Sequence, residues 1–213
     1  MRQSIISILE VVKKDLKVEA RSKASLNQMI LFALASSFLF SLSIDAEKFF
    51  AQILFLVILF SSILACSITV IREFDMETIE ALKSMLSAQE IMVAKIFSNL
   101  LIILLLLSII TPICYALFNL SGNFLLLFLC LLISSFPISI SITLLSPISA
   151  FAKGKEMLLP AMLFPVIFPI ILPSMKLLNL AYVGIFDVFS ALYLLSYSGL
   201  MATLSLLLSD HLF

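Results

Sequence analysis

An all-α integral membrane protein is predicted by three features of the chain. Of its 213 residues, 62% are hydrophobic and only 12% are charged. A soluble domain is nearer half apolar and a quarter charged. Six separate stretches are apolar over the roughly 20 residues that a spanning helix needs. The charges sit before and between these stretches, and mean hydropathy is +1.23.

The first element is an amphipathic helix. SIISILEVVKKDLKVEARSK places Ile5, Ile8, Leu9, Val12 and Leu16 at helical spacing, with lysines, Asp15 and Glu19 over much of the rest. This pattern suits a helix lying in the membrane interface, residues 1–25. Its basic side chains would meet anionic headgroups at about 1 kcal/mol each. A simple anchor and a mechanical role both fit. The segment lacks the short apolar core and small-residue site of a cleavable signal peptide.

The six expected spans run at about 26–44, 49–71, 96–118, 124–151, 157–176 and 185–208, by the same length rule. They form one bundle over 26–208. The fourth is longer than a bilayer requires. The fifth is short and interrupted by prolines. Span four carries Ser135, Ser139, Thr143, Ser146 and Ala150 in sequence. Small residues let helices approach closely and bond across, so this row reads as a packing seam or as a polar wall on a path.

Orientation follows from Lys and Arg. Eleven of the 13 fall on one side: Arg2, Lys13, Lys14, Lys17, Arg21, Lys23, Arg72, Lys83, Lys95, Lys153 and Lys155. The other side has Lys48 and Lys176. Both termini are therefore expected in the cytoplasm, in a multi-pass protein of the plasma membrane.

The most informative polar stretch is IREFDMETIEALKSMLSAQEIMVAK. On one continuous helix, about 72–88, Glu73, Glu77 and Glu80 would share a face at i, i+4 and i+7. Ile79, Leu82 and Leu86 would lie opposite. The like charges repel slightly, so the face is either solvated or docks on a partner. Lys95 stands where span three enters the membrane, and its stem can snorkel to the interface.

Several chemistries are disfavoured. A formal net charge of zero gives no electrostatic basis for nucleic-acid binding. The four glycines, Gly122, Gly154, Gly184 and Gly199, cannot build a P-loop. One histidine, His211, cannot form a paired-histidine haem site, a zinc triad or a Ser-His-Asp triad within one copy. Cys66, Cys114 and Cys130 fit no zinc or disulfide pattern and read as small buried hydrophobes. No catalytic or metal-ligating set is expected. Asp187 reads as the N-cap of span six. It lacks an intramembrane partner that would suggest ion coupling.

The stretch 152–173, AKGKEMLLPAMLFPVIFPIILP, joins a charged turn to a proline-rich span. Gly154 is free to adopt positive φ in the turn. Glu156 suits the helix N-terminus. Pro165, Pro169 and Pro173 repeat every four residues, and each lacks an N–H. The carbonyls of Ala161, Pro165 and Pro169 lose their helix partners. In lipid these need other partners, so span five is expected either to kink or to break and dip back from the outer face.

Two resemblances follow from these motifs. Glu73, then Thr78-Ile79-Glu80-x-Leu82, then Lys95, resembles the loop between spans two and three of ABC-2-type transporter permeases. Glu77 stands where that superfamily often has Gly, and Ser87-Ala88 where it often has Ser-Pro. More narrowly, Gly154-Lys155-Glu156-x-Leu158-Leu159-Pro160, with Pro165 and Pro169, resembles the haem exporter B family, the permease of cytochrome c maturation. KDLKVEARSKASLN, from Lys14 to Asn27, resembles that family's N-terminal motif.

The resemblance implies a permease subunit that works in haem delivery for c-type cytochromes. It implies a separate ATPase subunit, a second permease copy and companion haem-handling membrane proteins. ATP would act only through the partner. Haem would be handled as substrate rather than held as a cofactor. Under this reading Glu73, Asp75, Glu77, Ile79, Glu80 and Leu82 form the ATPase-coupling segment. Gly154, Lys155, Glu156, Pro160, Pro165 and Pro169 form the hinge and family motif. An ABC-2 exporter of lipid, glycan or drug, a secondary transporter or channel, and a non-transporting scaffold are the alternatives.

Overall fold

A computed structural model describes the backbone at 2–22, 24–43, 48–75, 78–151 and 155–212. It describes side chains at 6–21, 26–42, 48–65, 73–74, 78–151 and 158–212. All regular structure among these residues is helical: α1 (Arg2–Ser22), α2 (Ala24–Ser43), α3 (Phe50–Asp75), α4 (Thr78–Met85), α5 (Ala88–Leu117), α6 (Phe124–Ala150), α7 (Lys155–Tyr182) and α8 (Val188–Leu212). The side chains of Cys66, Arg72, Asp75, Lys155 and Glu156, and the whole of Asp45, Glu47, Glu77, Lys153 and Gly154, lie outside the described residues.

Each expected apolar stretch coincides with a helix, α2, α3 and α5 to α8. Four of them, α5 to α8, are long and apolar enough to cross a membrane. α2 meets the test jointly with α1, the two meeting at 67°, and Phe50–Ala65 of α3 is a shorter apolar helix.

The helices start where local chemistry permits. α5 opens on a capping box: the Ser87 hydroxyl accepts from the Glu90 amide at 3.4 Å, and the Ser87 amide donates to Glu90 Oε2 at 3.1 Å. Two orphan backbone groups are thus satisfied together. Asn123 caps α6 by accepting from the Leu126 amide at 3.1 Å. The α5–α6 turn uses Asn119 at φ 51°, a conformation that asparagine tolerates better than most residues. Gly184 at φ 89° ends the turn after α7.

The centre of the bundle is α6, packed against α3, α5, α7 and α8. Lipid tails are as apolar as leucine, so close packing and hydrogen bonds must hold such helices. The span-four seam serves that purpose within one chain. Ser135, Ser139, Thr143, Ser146 and Ala150 are all buried. Ser139 donates to the Ile96 carbonyl at 3.2 Å, and Asn99 Nδ2 donates to Thr143 Oγ1 at 2.8 Å, both across to α5.

α7 is longer than the expected 157–176 and bears on the choice between a kink and a break. It is one helix through Pro160, Pro165, Pro169 and Pro173, continuing to Tyr182. The break-and-dip alternative is therefore excluded. Pro160 and Pro165 are exposed and Pro169 and Pro173 half-buried, while Leu159, Leu163, Ile167 and Ile170 face inward. Their spacing confines the missing donors to the outer side, and the inward ladder can continue. Tyr197 of α8 donates to the Val166 carbonyl at 2.7 Å, beside the proline positions.

A second apolar cluster lies apart from the main core. It joins Val11 and Val12 of α1, Ile79 and Leu82 of α4, and Ile91 and Ala94 of α5. This cluster fixes α1 and α4 against the start of α5.

Candidate functional site

The 73–95 stretch is not one continuous helix. α3 ends at Asp75 and α4 begins at Thr78. Glu77 lies outside the described residues, and Glu73 and Glu80, described in α3 and α4, differ in their surroundings. Glu73 points inward and is 9% exposed, whereas Glu80 is exposed. Ile79 and Leu82 are buried in the second cluster, so they attach α4 rather than present it. Thr78, Glu80, Ala81, Lys83, Ser84 and Met85 form its exposed surface.

Glu73 meets a buried ionic group drawn from three helices. Lys14 Nζ lies 2.6 Å from Glu73 Oε1, and Lys95 Nζ lies 2.5 Å from Glu73 Oε2. Lys95 Nζ also lies 2.8 Å from Asp15 Oδ2, and Lys14 Nζ lies 3.3 Å from Asp15 Oδ1. Ser98 Oγ donates to Asp15 Oδ2 at 3.0 Å. Lys95 is 4% exposed. It does not snorkel outward as expected; two carboxylates draw it into the protein. Asp15 and Glu19 likewise leave the polar face assigned to α1 and turn toward the bundle, Glu19 being buried.

Desolvating a charge is costly, and only close opposite charges and hydrogen bonds offset it. Lys14 shows the balance. Burial alone would lower its pKa, but the Glu73 carboxylate, with help from Asp15, holds it above the ordinary lysine value. A raised value means that its contribution is complete below pH 10.5 and is lost only as pH rises through the folded pKa.

A cavity of about 410 Å³ adjoins this group, with Val18, Leu82, Met85 and Ile102 among its apolar walls. Among the described residues, no group of three His, Cys, Asp or Glu side chains could hold a metal ion.

At the opposite end, Asp187 caps α8. Its Oδ2 accepts from Ser190 Oγ at 2.7 Å and lies 2.9 Å from Lys176 Nζ. The Ser190 hydrogen bond, then Lys176, holds its pKa below the ordinary aspartate value. Lys176 is thus a cation partner of Asp187 that spacing along the sequence does not reveal.

The long-range ion pairs join residues 59 and 80 positions apart, Lys14 with Glu73 and Asp15 with Lys95. A signal for them does exist. Val12, Asp15 and Glu19 fall at i, i+3 and i+7, on one face of α1. Ile91, Lys95, Ser98 and Ile102 likewise follow one face of α5, with the lysine at a core position.

A multi-pass, all-helical membrane protein with an ionic cluster beneath a short amphipathic helix is the class so defined. The chain matches the CcmB protein family over residues 6–210, nearly its full length. It belongs to the CcmB family, which is the haem exporter B family that its proline and N-terminal motifs resemble. No curated protein sequence gives a significant match.

Proposed function

We infer that this chain is the permease subunit of an ABC-type exporter, acting in haem delivery for c-type cytochrome maturation. Membership of the CcmB family over residues 6–210 is the observation that carries this reading. The energy comes from a separate ATPase subunit that binds the cytoplasmic side. The bundle has six spans with ABC-2-type architecture, α2, α3 and α5 to α8, with α1 in the interface and both termini cytoplasmic. Two copies form the working unit, beside companion haem-handling subunits.

Docking of the ATPase falls to the exposed side of α4, around Glu80 and Lys83. Two facts support this assignment. α4 is amphipathic and lies between α3 and α5, so a push on it reaches both. Its outer residues are exposed while Ile79 and Leu82 hold it from beneath. The Gly154-Lys155-Glu156 turn and Pro160, Pro165 and Pro169 serve as the cytoplasmic hinge and the bent span that follows it.

The test is disruption of the gene together with complementation. Loss of c-type cytochromes, restored by the intact chain, supports the reading. Normal cytochromes with a defect in lipid, glycan or drug export would contradict it.

A further inference from the structure

The four charges beneath α4 form a closed ring in which signs alternate. Lys14 meets Glu73 at 2.6 Å, Glu73 meets Lys95 at 2.5 Å, Lys95 meets Asp15 at 2.8 Å, and Asp15 meets Lys14 at 3.3 Å. Two members come from α1, one from the end of α3 and one from the start of α5. Stability alone is a poor explanation for such a ring. Packed apolar side chains often hold a fold as well as a buried ion pair, and the best-attested use of buried charge is to fix register or to switch.

Two further observations bear on what the ring controls. A partly open cavity of about 410 Å³ lies directly beside the ring, and it leaves the apolar Val18 and Met85 on its lining exposed. One wall of that space is α4 itself, through Thr78, Ala81, Leu82 and Met85. α4 is also tied to the ring's own backbone, since Thr78 Oγ1 donates to the Glu73 carbonyl at 3.3 Å. Displacing Glu73 therefore displaces the first residue of α4.

We propose that the ring is a conformational latch on α4. Closed, it clamps the end of α3 to α1 and α5 and keeps α4 at the mouth of the cavity. Opened at Glu73, it lets α4 swing inward and bury the apolar walls of the cavity. The two arrangements oppose ion pairing to apolar burial, which is the basis of a two-position element. The latch is a property of this chain and does not depend on the exporter reading. An ATPase is one agent that could move α4, and the test omits it.

The experiment uses the full chain in lipid nanodiscs, with its native cysteines replaced by alanine. Spin labels are placed at Lys17→Cys on α1 and Lys83→Cys on α4, both exposed positions. Pulsed electron resonance then reads the distance between them. The intact ring should give one narrow distance. Glu73→Gln should add a second, shorter distance, and Ala81→Phe, which fills the cavity, should remove it again. Reversing the whole ring (Lys14→Glu, Asp15→Lys, Glu73→Lys, Lys95→Glu) keeps every pair opposite in sign and should restore the single distance. If Glu73→Gln does not fold, Lys14→Gln opens the same ring from its half-exposed corner and carries the same expectation. A single unchanged distance after either opening substitution would overturn the latch. So would a shorter distance that persists when Ala81→Phe is present.

Discussion

Lys95 and Gly122 show how single positions set this structure. Lys95 is one of the least exposed charges described, and it lies between two carboxylates. Lys95→Ala leaves those two carboxylates to share the half-exposed Lys14, and removing one partner of a buried ion pair typically costs about 3–5 kcal/mol. Unfolding of the purified variant in detergent should show that loss. Gly122 is needed for space rather than for its φ. A Cβ there would run into the ring and carbonyl of Tyr182, while Tyr115 donates to the Gly122 carbonyl. Gly122→Ala is expected to destabilise by about 1–3 kcal/mol, the usual range for overpacking, read in the same unfolding assay. Asp187 gives a pH test. Its lowered pKa contributes stability that is present above the ordinary value of 3.8 and is lost as pH falls through the folded value. Asp187→Asn should therefore be less stable than the parent at pH 7, and the gap should close below pH 3.8. At this scale the sequence exposed the cap but not its lysine. The pairing of Lys176 with Asp187 depends on how far α7 extends, which the sequence does not show.

α4 and α7 show which parts of an element periodicity can predict. The apolar side of α4 was legible, because Ile79 and Leu82 fall at helical spacing and both are buried. The inward turn of Glu73 to Lys14 and Lys95 was not, since spacing alone put it on one face with the exposed Glu80. Ser87 and Glu90 were legible in principle as a capping box that starts α5. For docking, the consequence is specific. Glu80→Lys, at an exposed position, should reduce recovery of the ATPase subunit several-fold while leaving the melting temperature unchanged. Co-purification and a thermal melt check the two halves separately. In α7, the prolines allowed either a kink or a break, and the outward placement of Pro165 leaves the inner face of a continuous helix intact. Tyr197→Phe removes the hydroxyl that bonds the Val166 carbonyl beside those prolines. A loss of about 1 kcal/mol is expected, typical of one hydrogen bond.

For the whole molecule, composition settled the class and the motifs settled the family. An apolar stretch can be recognised without knowing its neighbours, so every expected stretch has its helix. The central position of α6 and the ionic ring were not legible, since both arise from contacts between distant segments. Single cysteines should map the six-span reading: Lys17→Cys should label only from the cytoplasm and Lys48→Cys only from outside. The central claim, that this CcmB-family chain is an ATP-driven permease, is tested most directly by affinity purification of the tagged chain from native membranes. Recovery of an ATP-binding cassette ATPase with haem-handling membrane proteins is the predicted result. Reproducible recovery of the intact chain with no ATPase subunit would contradict it.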